Sequence, residues 1–184
     1  MPWRNGAGRT TEIAVYPTGA ALDAFDWRIS IADVVKDGPF SRFAGIDRTL
    51  VVIGGAGMRL DGDGHSAMLS GLYEPYAFSG DDAVACTLLA GPVRDFNLML
   101  RRSRGRGGVT VMRGEGARIP PARFRLCYTV TGTYECLLAG HPPFTVPADC
   151  ALLVEDDAAA AVSLAVNPLT ANAVALVTAI DLTA

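Results

Sequence analysis

The chain has 184 residues, 50% of them hydrophobic, with a formal net charge of −3 and a mean hydropathy of +0.27. This excludes a disordered chain and predicts a compact fold with a sizeable core, built as one large domain or two small fused ones. The acidic balance gives no electrostatic basis for general nucleic-acid binding, and no apolar run reaches the roughly 18–20 residues needed to span a bilayer.

The chain opens on Met1-Pro2-Trp3-Arg4-Asn5-Gly6-Ala7-Gly8-Arg9-Thr10. An indole, a guanidinium and a carboxamide stand side by side, and the glycines let the backbone turn tightly or approach a partner. No charged-then-apolar leader is present, so a cytoplasmic location is expected. Strands are predicted at 12–16, 27–32, 49–53, 57–60, 83–89, 96–100, 124–130, 134–139, 151–154, 162–166 and 174–180. Each is short, alternating or apolar, and bounded by Gly, Pro, Asp or Asn, the pattern of a sandwich or barrel. Two short segments, 20–24 and 168–172, are the helical candidates. Between the second and third strands, 37–48 reads as a loop over a barrel mouth, held by Arg42 and Arg48 through Asp47 or Asp37.

A faint internal repeat runs through the chain. Strand, Gly turn, strand, Gly-His turn, strand and acidic turn occur from Thr49 to Val84 and again from Leu126 to Ala158. The run Arg101-Arg102-Ser103-Arg104-Gly105-Arg106-Gly107-Gly108 lies between the copies. It is short and lacks aromatics, so it reads as a flexible linker rather than an RGG-type nucleic-acid segment.

Metal chemistry has little support. The two histidines, His65 and His141, stand alone in equivalent Gly-His turns, with no HxH and no Glu at a metal-ligand spacing from either. No nucleophile elbow occurs. The Gly-rich segments at 5–10 and 54–57 lack the lysine and the following helix of a phosphate loop. Neither catalytic residues nor a cofactor are assigned. Cys86, Cys127, Cys136 and Cys150 show no CxxC spacing and read as thiols. If Thr131-Gly132 is a two-residue hairpin turn, Cys127 and Cys136 face each other across paired strands.

The positive signal is polar residues inside strands. Strand period puts Arg28, Ser30 and Ala32 on one face of 27–32, and Asp95, Asn97 and Met99 on one face of 95–100. Glu12 shares a face with Ala14 and Tyr16. Each polar face could be solvated, the ordinary outcome for an antiparallel sheet. Three such strands in one small barrel point instead to a shared polar cavity that holds one small ligand. Arg28 and Arg48 are then forks for a carboxylate. Arg4, Asn5, Ser30 and Asn97 add polar contacts, and Glu12 and Asp95 pair with the arginines when the site is empty. Trp3, Phe40, Phe78 and Met99 supply apolar walls or a lid.

Four blocks, 1–13, Phe25-Asp26-Trp27-Arg28-Ile29-Ser30-Ile31-Ala32-Asp33-Val34, Asp37-Gly38-Pro39-Phe40-Ser41-Arg42-Phe43-Ala44-Gly45-Ile46-Asp47-Arg48 and Gly91-Pro92-Val93-Arg94-Asp95-Phe96-Asn97-Leu98-Met99, lie in order and resemble the HutD/Ves family. These are small bicupins, many encoded with histidine-utilisation enzymes. The resemblance implies an all-β fold of two tandem cupin β-barrels: 1–100 with the ligand pocket, the linker 101–108, and 109–184. It implies a metal-independent binding protein for a small anionic metabolite, such as urocanate or formylglutamate, with an accessory or regulatory role in histidine catabolism. Family members usually carry a short extra strand before the first block, so the natural start is expected upstream of Met1. Two other readings stand beside this one. One is a metal-free isomerase or hydrolase using Glu12 or Asp95 as its base. The other is a stress-associated interaction protein with a vestigial pocket, as the Ves branch suggests. A symmetric homodimer is the candidate assembly.

Overall fold

The computed structural model describes residues 3, 6–156 and 162–183. Every regular element among them is a β-strand. The chain divides into two compact units, Met1–Gly105 and Arg106–Ala184.

In the first unit, β1 (Gly8–Tyr16), β2 (Trp27–Val34), β9 (Val93–Arg101), β4 (Ile46–Gly54) and β7 (Pro75–Ser79) form a five-stranded sheet in that spatial order. A second sheet runs β3 (Gly38–Pro39), β8 (Ala85–Leu88), β5 (Met58–Gly62), β6 (His65–Leu69). Ala32, Val34, Leu50, Val52 and Val93 from the first sheet pack on Met58, Leu60 and Cys86 from the second. These contacts define the interior face of each strand. Trp27, Ile29, Ile31, Phe96, Leu98 and Leu100 point the opposite way and are buried too. β2 and β9 are thus buried on both faces, one of them apolar and the other carrying the polar residues Arg28, Ser30, Asp95 and Asn97.

The second unit repeats this plan. One sheet is β10 (Gly105–Arg113), β17 (Val174–Leu182), β12 (Phe124–Thr131), β15 (Ala151–Glu155). The other is β11 (Ala117–Ile119), β16 (Leu164–Pro168), β13 (Thr133–Leu138), β14 (Phe144–Pro147). Met112, Cys127, Tyr134, Cys136, Leu164, Val166 and Val177 fill the space between them. Set against the first unit, β10–β17–β12–β15 matches β2–β9–β4–β7 strand for strand, and β11–β16–β13–β14 matches β3–β8–β5–β6. The repeat seen in the sequence is therefore a repeat of topology, with β1 as an addition to the first copy.

Several expectations change. The segments 20–24 and 168–172 are not helical. The first is a pair of turns closed by Ala20 N–H to Pro17 O and Ala24 N–H to Ala21 O, and the second completes β16 and then turns. Each is too short to sustain a helix against the nucleation cost. The expected linker is ordered. Arg101 ends β9 and hydrogen-bonds Phe25 O and Asp23 O, Arg102 holds Asp47, and Gly105 to Gly108 begin β10. A Cβ on Gly107 would lie 2.6 Å from Ala179 O, so glycine there permits close strand approach. Strands β3, β6, β7, β10, β11 and β14 are not among the expected ones: five are short, and β10 opens on glycine and arginine rather than on an apolar pattern. Cys127 and Cys136 are not register partners, since β12 pairs with β15 and β17 while β13 pairs with β14 and β16. They come from the two different sheets and are free, buried thiols of the core between them. No helix among the described residues is long and apolar enough to cross a membrane.

Gly132 is the whole connection between β12 and β13 and carries the chain from one sheet to the other at φ +72. A Cβ there would sit 2.4 Å from Thr170 Oγ1 and 2.8 Å from Ala173 Cβ. Gly132→Val should therefore lose at least about 2 kcal/mol in urea unfolding, from left-handed strain plus overlap. Gly140→Asn, at φ +81 with open space around it, should change little. Equal effects of the two substitutions would contradict this account of the corner.

Candidate ligand-binding site

The central strand β9 arranges the site in layers. On its interior face, Met99 lies opposite Arg28 on one side and Arg48 on the other. Two residues along, Asn97 lies between Ser30 and Leu50, and two further, Asp95 lies between Ala32 and Val52. At the margins β1 places Glu12 opposite Ser30, and β7 places Phe78 opposite Arg48 and Tyr76 opposite Leu50. Seven predicted residues (Glu12, Arg28, Ser30, Arg48, Asp95, Asn97 and Met99) thus share one face, the face whose other members form the core between the sheets. Arg28, Ser30, Arg48, Asp95 and Asn97 are between 1% and 6% exposed. The solvated-face reading is excluded for them.

The two arginines differ. Arg28 Nε donates to Glu12 Oε2 at 2.8 Å and its Nη1 to Ser30 Oγ at 3.3 Å. This guanidinium is neutralised and oriented. Arg48 is held by rings instead of by a carboxylate. Its guanidinium carbon lies 4.7 Å from the Phe78 centroid, 5.3 Å from Phe40 and 5.8 Å from Phe43. Cation–π attraction of this kind reaches about 2 kcal/mol when water is excluded. Among the described residues its Nη1 makes a long hydrogen bond of 3.5 Å to Ser41 O, and its Nε has no partner. Burial lowers the Arg48 pKa to about 10, against the raising effect of Asp95.

Asp95 is the deepest ionisable group of the set. Among the described residues neither carboxylate oxygen has a hydrogen-bond partner, and Asn97 Oδ1 lacks one as well. Burial raises the Asp95 pKa to about 7, with Arg48 opposing the rise and Asp33 adding to it. A buried polar group without a partner costs about 1–3 kcal/mol, more if charged. Asp95 Oδ1, Asp95 Oδ2 and Asn97 Oδ1 are three such acceptors on adjacent layers.

The remaining expectations divide. Trp3 anchors the N-terminal segment: its Nε1 donates 2.7 Å to Thr10 Oγ1 and its ring meets Phe40 edge-on at 6.2 Å. Arg4 and Asn5 lie outside the described residues. The 37–48 loop is not held as expected. Arg42 donates to Asp81 O, Asp47 is bound by Arg102, and Asp37 accepts from Leu88 N–H. Arg48 turns inward instead. Phe43 was missed as the third ring of the Arg48 cage; its place three residues after Phe40 was the available signal. Among the described residues no three His, Cys, Asp or Glu side chains converge as metal ligands. His65 starts β6 beside Asp82, and His141 lies against Phe144.

The second unit is an internal control. By strand and register, Arg125 on β12 is the counterpart of Arg48. The counterparts of Asp95, Asn97 and Met99 on β17 are Ala175, Val177 and Ala179. Arg125 is fully buried, but it is answered by Asp156 and by Val162 O at 2.7 Å. One repeat neutralises its arginine and lines its interior with apolar residues. The other leaves its arginine in an aromatic cage beside unpartnered acceptors.

Comparison with known proteins follows the same outline. Residues 1–171 match the HutD family. A 21.2 kDa uncharacterised protein from the hutC 3′ region of Pseudomonas putida is 40% identical over 141 residues, 77% of this chain and 74% of its own. A protein named Ves from Cronobacter sakazakii is 38% identical over 134 residues, 72% of each chain. The structure of a conserved protein of unknown function from Pseudomonas aeruginosa PAO1 superposes with a TM-score of 0.89 at 37% identity, over 98% of this chain and 93% of that one. HutD from Pseudomonas fluorescens SBW25, solved in a formate condition, gives 0.83 at 34% identity over 100% and 94%. A cupin 2 barrel protein from Leptotrichia buccalis gives 0.62 at 12% identity over 95% and 89%, a likeness of fold alone. The chain is a member of the HutD family, with the all-β, cupin-like fold expected of it.

Proposed function

We propose that the interior of the first unit binds a small organic carboxylate, and that binding rather than turnover is the protein's task, as an accessory or regulator of histidine catabolism. The carrying observation is Arg48, a buried guanidinium without an ionic partner, positioned by three phenylalanine rings. A carboxylate is its natural complement, because the guanidinium fork matches both carboxylate oxygens. Trp3 and the 37–48 loop border the same cage. The relative encoded in the hutC 3′ region supports a pathway acid as the ligand, urocanate or formylglutamate being the first to try. Sequestering or sensing such an acid would limit pathway induction.

A second reading has one specific observation in its favour. Asp95, buried and pushed up to about 7, has the acidity of a general acid–base for work near neutrality. A metal-free isomerase or hydrolase of the same acids would convert its ligand in the purified, metal-stripped protein, and Asp95→Asn would abolish that conversion. Binding without conversion supports the first reading.

A thermal-shift series against urocanate, formylglutamate, histidine, glutamate and unrelated dicarboxylates tests the proposal directly. A ligand at about 100 times its Kd should add roughly 2.7 kcal/mol, a rise of several degrees in Tm. Arg48→Gln should lose that rise while keeping the fold. No shift with any acid at millimolar concentration would remove the carboxylate reading and favour an interaction protein.

The buried carboxylate also predicts a pH effect on stability. Between pH about 4 and 7 the folded protein keeps a proton on Asp95 that the unfolded chain has released, so stability falls as pH rises through that window. Above about pH 7 the penalty is fully present. Asp95→Asn should be more stable than the parent at pH 8, by on the order of 4 kcal/mol at most, with the gap closing towards pH 4. A gap that widens on acidification would contradict the assignment.

A further inference from the structure

The proposed carboxylate site contains a second instruction, and this inference rests on that reading. Its donors and acceptors are unequally matched. Arg28 already serves Glu12 and Ser30, which leaves Arg48 as the guanidinium open to an anion. On the acceptor side, Asp95 Oδ1, Asp95 Oδ2 and Asn97 Oδ1 are buried and receive nothing from the described residues. Asn97 stands on the layer next to the arginine layer and Asp95 one layer further, alternate residues of a strand being about 6.7 Å apart. A ligand whose carboxylate meets Arg48 therefore presents its other end to acceptors. A second carboxylate there would add a buried negative charge beside unpartnered oxygens. A hydrogen-bond donor there would satisfy groups that otherwise cost stability.

We infer that Asp95 and Asn97 are specificity residues that receive an N–H of the ligand, so that the site selects acids carrying an amide- or imidazole-type N–H over simple carboxylates and dicarboxylates. Sites built to hydrogen-bond a particular group reject analogues lacking it far more strongly than apolar pockets reject a missing methylene. The second unit agrees, since its positions equivalent to Asp95 and Asn97 are Ala175 and Val177, and its arginine already has a carboxylate.

The proton linkage has a definite sign. Accepting an N–H favours ionised Asp95, so binding releases a proton from the protonated fraction and affinity rises between pH 6 and 8. If Asp95 instead donated its own proton to the ligand's carboxylate, affinity would fall over the same range. The charged and titratable groups around Asp95 are Arg48 on β4, Arg28 and Asp33 on β2, Glu12 on β1 and Cys86 on β8. Arg48, at about 10, stays charged throughout, and burial together with the Asp95 charge keeps the Cys86 thiol protonated.

The test is calorimetric titration with isosteric pairs: N-acetylglycine against acetoxyacetate, in which an ester oxygen replaces the N–H, and urocanate against 3-(3-furyl)acrylate. The N–H member of at least one pair should bind ten-fold tighter or more, and Asp95→Ala or Asn97→Leu should bring that ratio towards one. The pH series uses N-acetylglycine, which does not titrate near 7, in buffers of differing ionisation heat. Equal affinity within both pairs would overturn the inference and leave the carboxylate reading standing. Absence of binding by all four compounds would overturn both. A preference that survives both substitutions in folded protein, or proton uptake on binding of N-acetylglycine, would overturn the assignment to Asp95 and Asn97.

Discussion

The register of β9 between β2 and β4 is the constraint on which the site depends. Side chains alternate along a strand, so a slip of one residue would carry Asp95, Asn97 and Met99 to the opposite face and bring Phe96, Leu98 and Leu100 inward. Antiparallel pairing on both sides fixes the register, with Trp27 opposite Leu100 and Thr49 opposite Leu98. Those apolar residues are buried on their own face, so a slip would bury charge there too. The polar layers inside are held in place by the hydrophobic residues outside them.

The interior of the first unit balances opposing terms. Desolvation opposes charge on both Arg48 and Asp95, and neither completes its hydrogen bonds within the protein. Phenylalanine faces recover part of what Arg48 loses on leaving water. Arg28 follows the other route, with a direct ion pair to Glu12 at the more exposed margin of the sheet. A fold with a large apolar interior can carry such a local deficit, and natural proteins concentrate deficits of this kind where they bind or react. The second unit, built on the same topology, carries no comparable set of unpartnered acceptors on its β17 interior, which is lined by Ala175, Val177 and Ala179. Its packed interior shows that the topology itself does not require the polar layers of the first unit.

The polar alternation in 27–32 and 95–100 was legible because it broke an otherwise apolar pattern at period two, and period two is a property of the strand alone. The same reasoning missed β6, β10 and β14. Their residues are small, polar or glycine, and they become strands only because a neighbour offers a hydrogen-bonding edge. It also misplaced Cys127 and Cys136. A hairpin and a sheet-to-sheet corner both use a glycine between two strands, and only the non-local partners of β12 and β13 tell them apart. The role of the 37–48 loop was half legible. Its closeness to Arg48 followed from sequence, whereas its anchors, Asp81 for Arg42 and Leu88 for Asp37, come from strands distant in sequence.

The sequence by itself determined the all-β class, the more apolar strands, the duplicated plan, the family, and which side chains share a face, because each of these is written in local period or contiguous motif. Tertiary structure decided the rest. Pairing across β1, β2, β9, β4 and β7 turned separate polar faces into one interior set, and three phenylalanines from two segments closed around Arg48. Burial set the acidity of Asp95. Those outcomes depend on distance and dielectric between residues far apart in the chain, and neither quantity exists until the sheets have met.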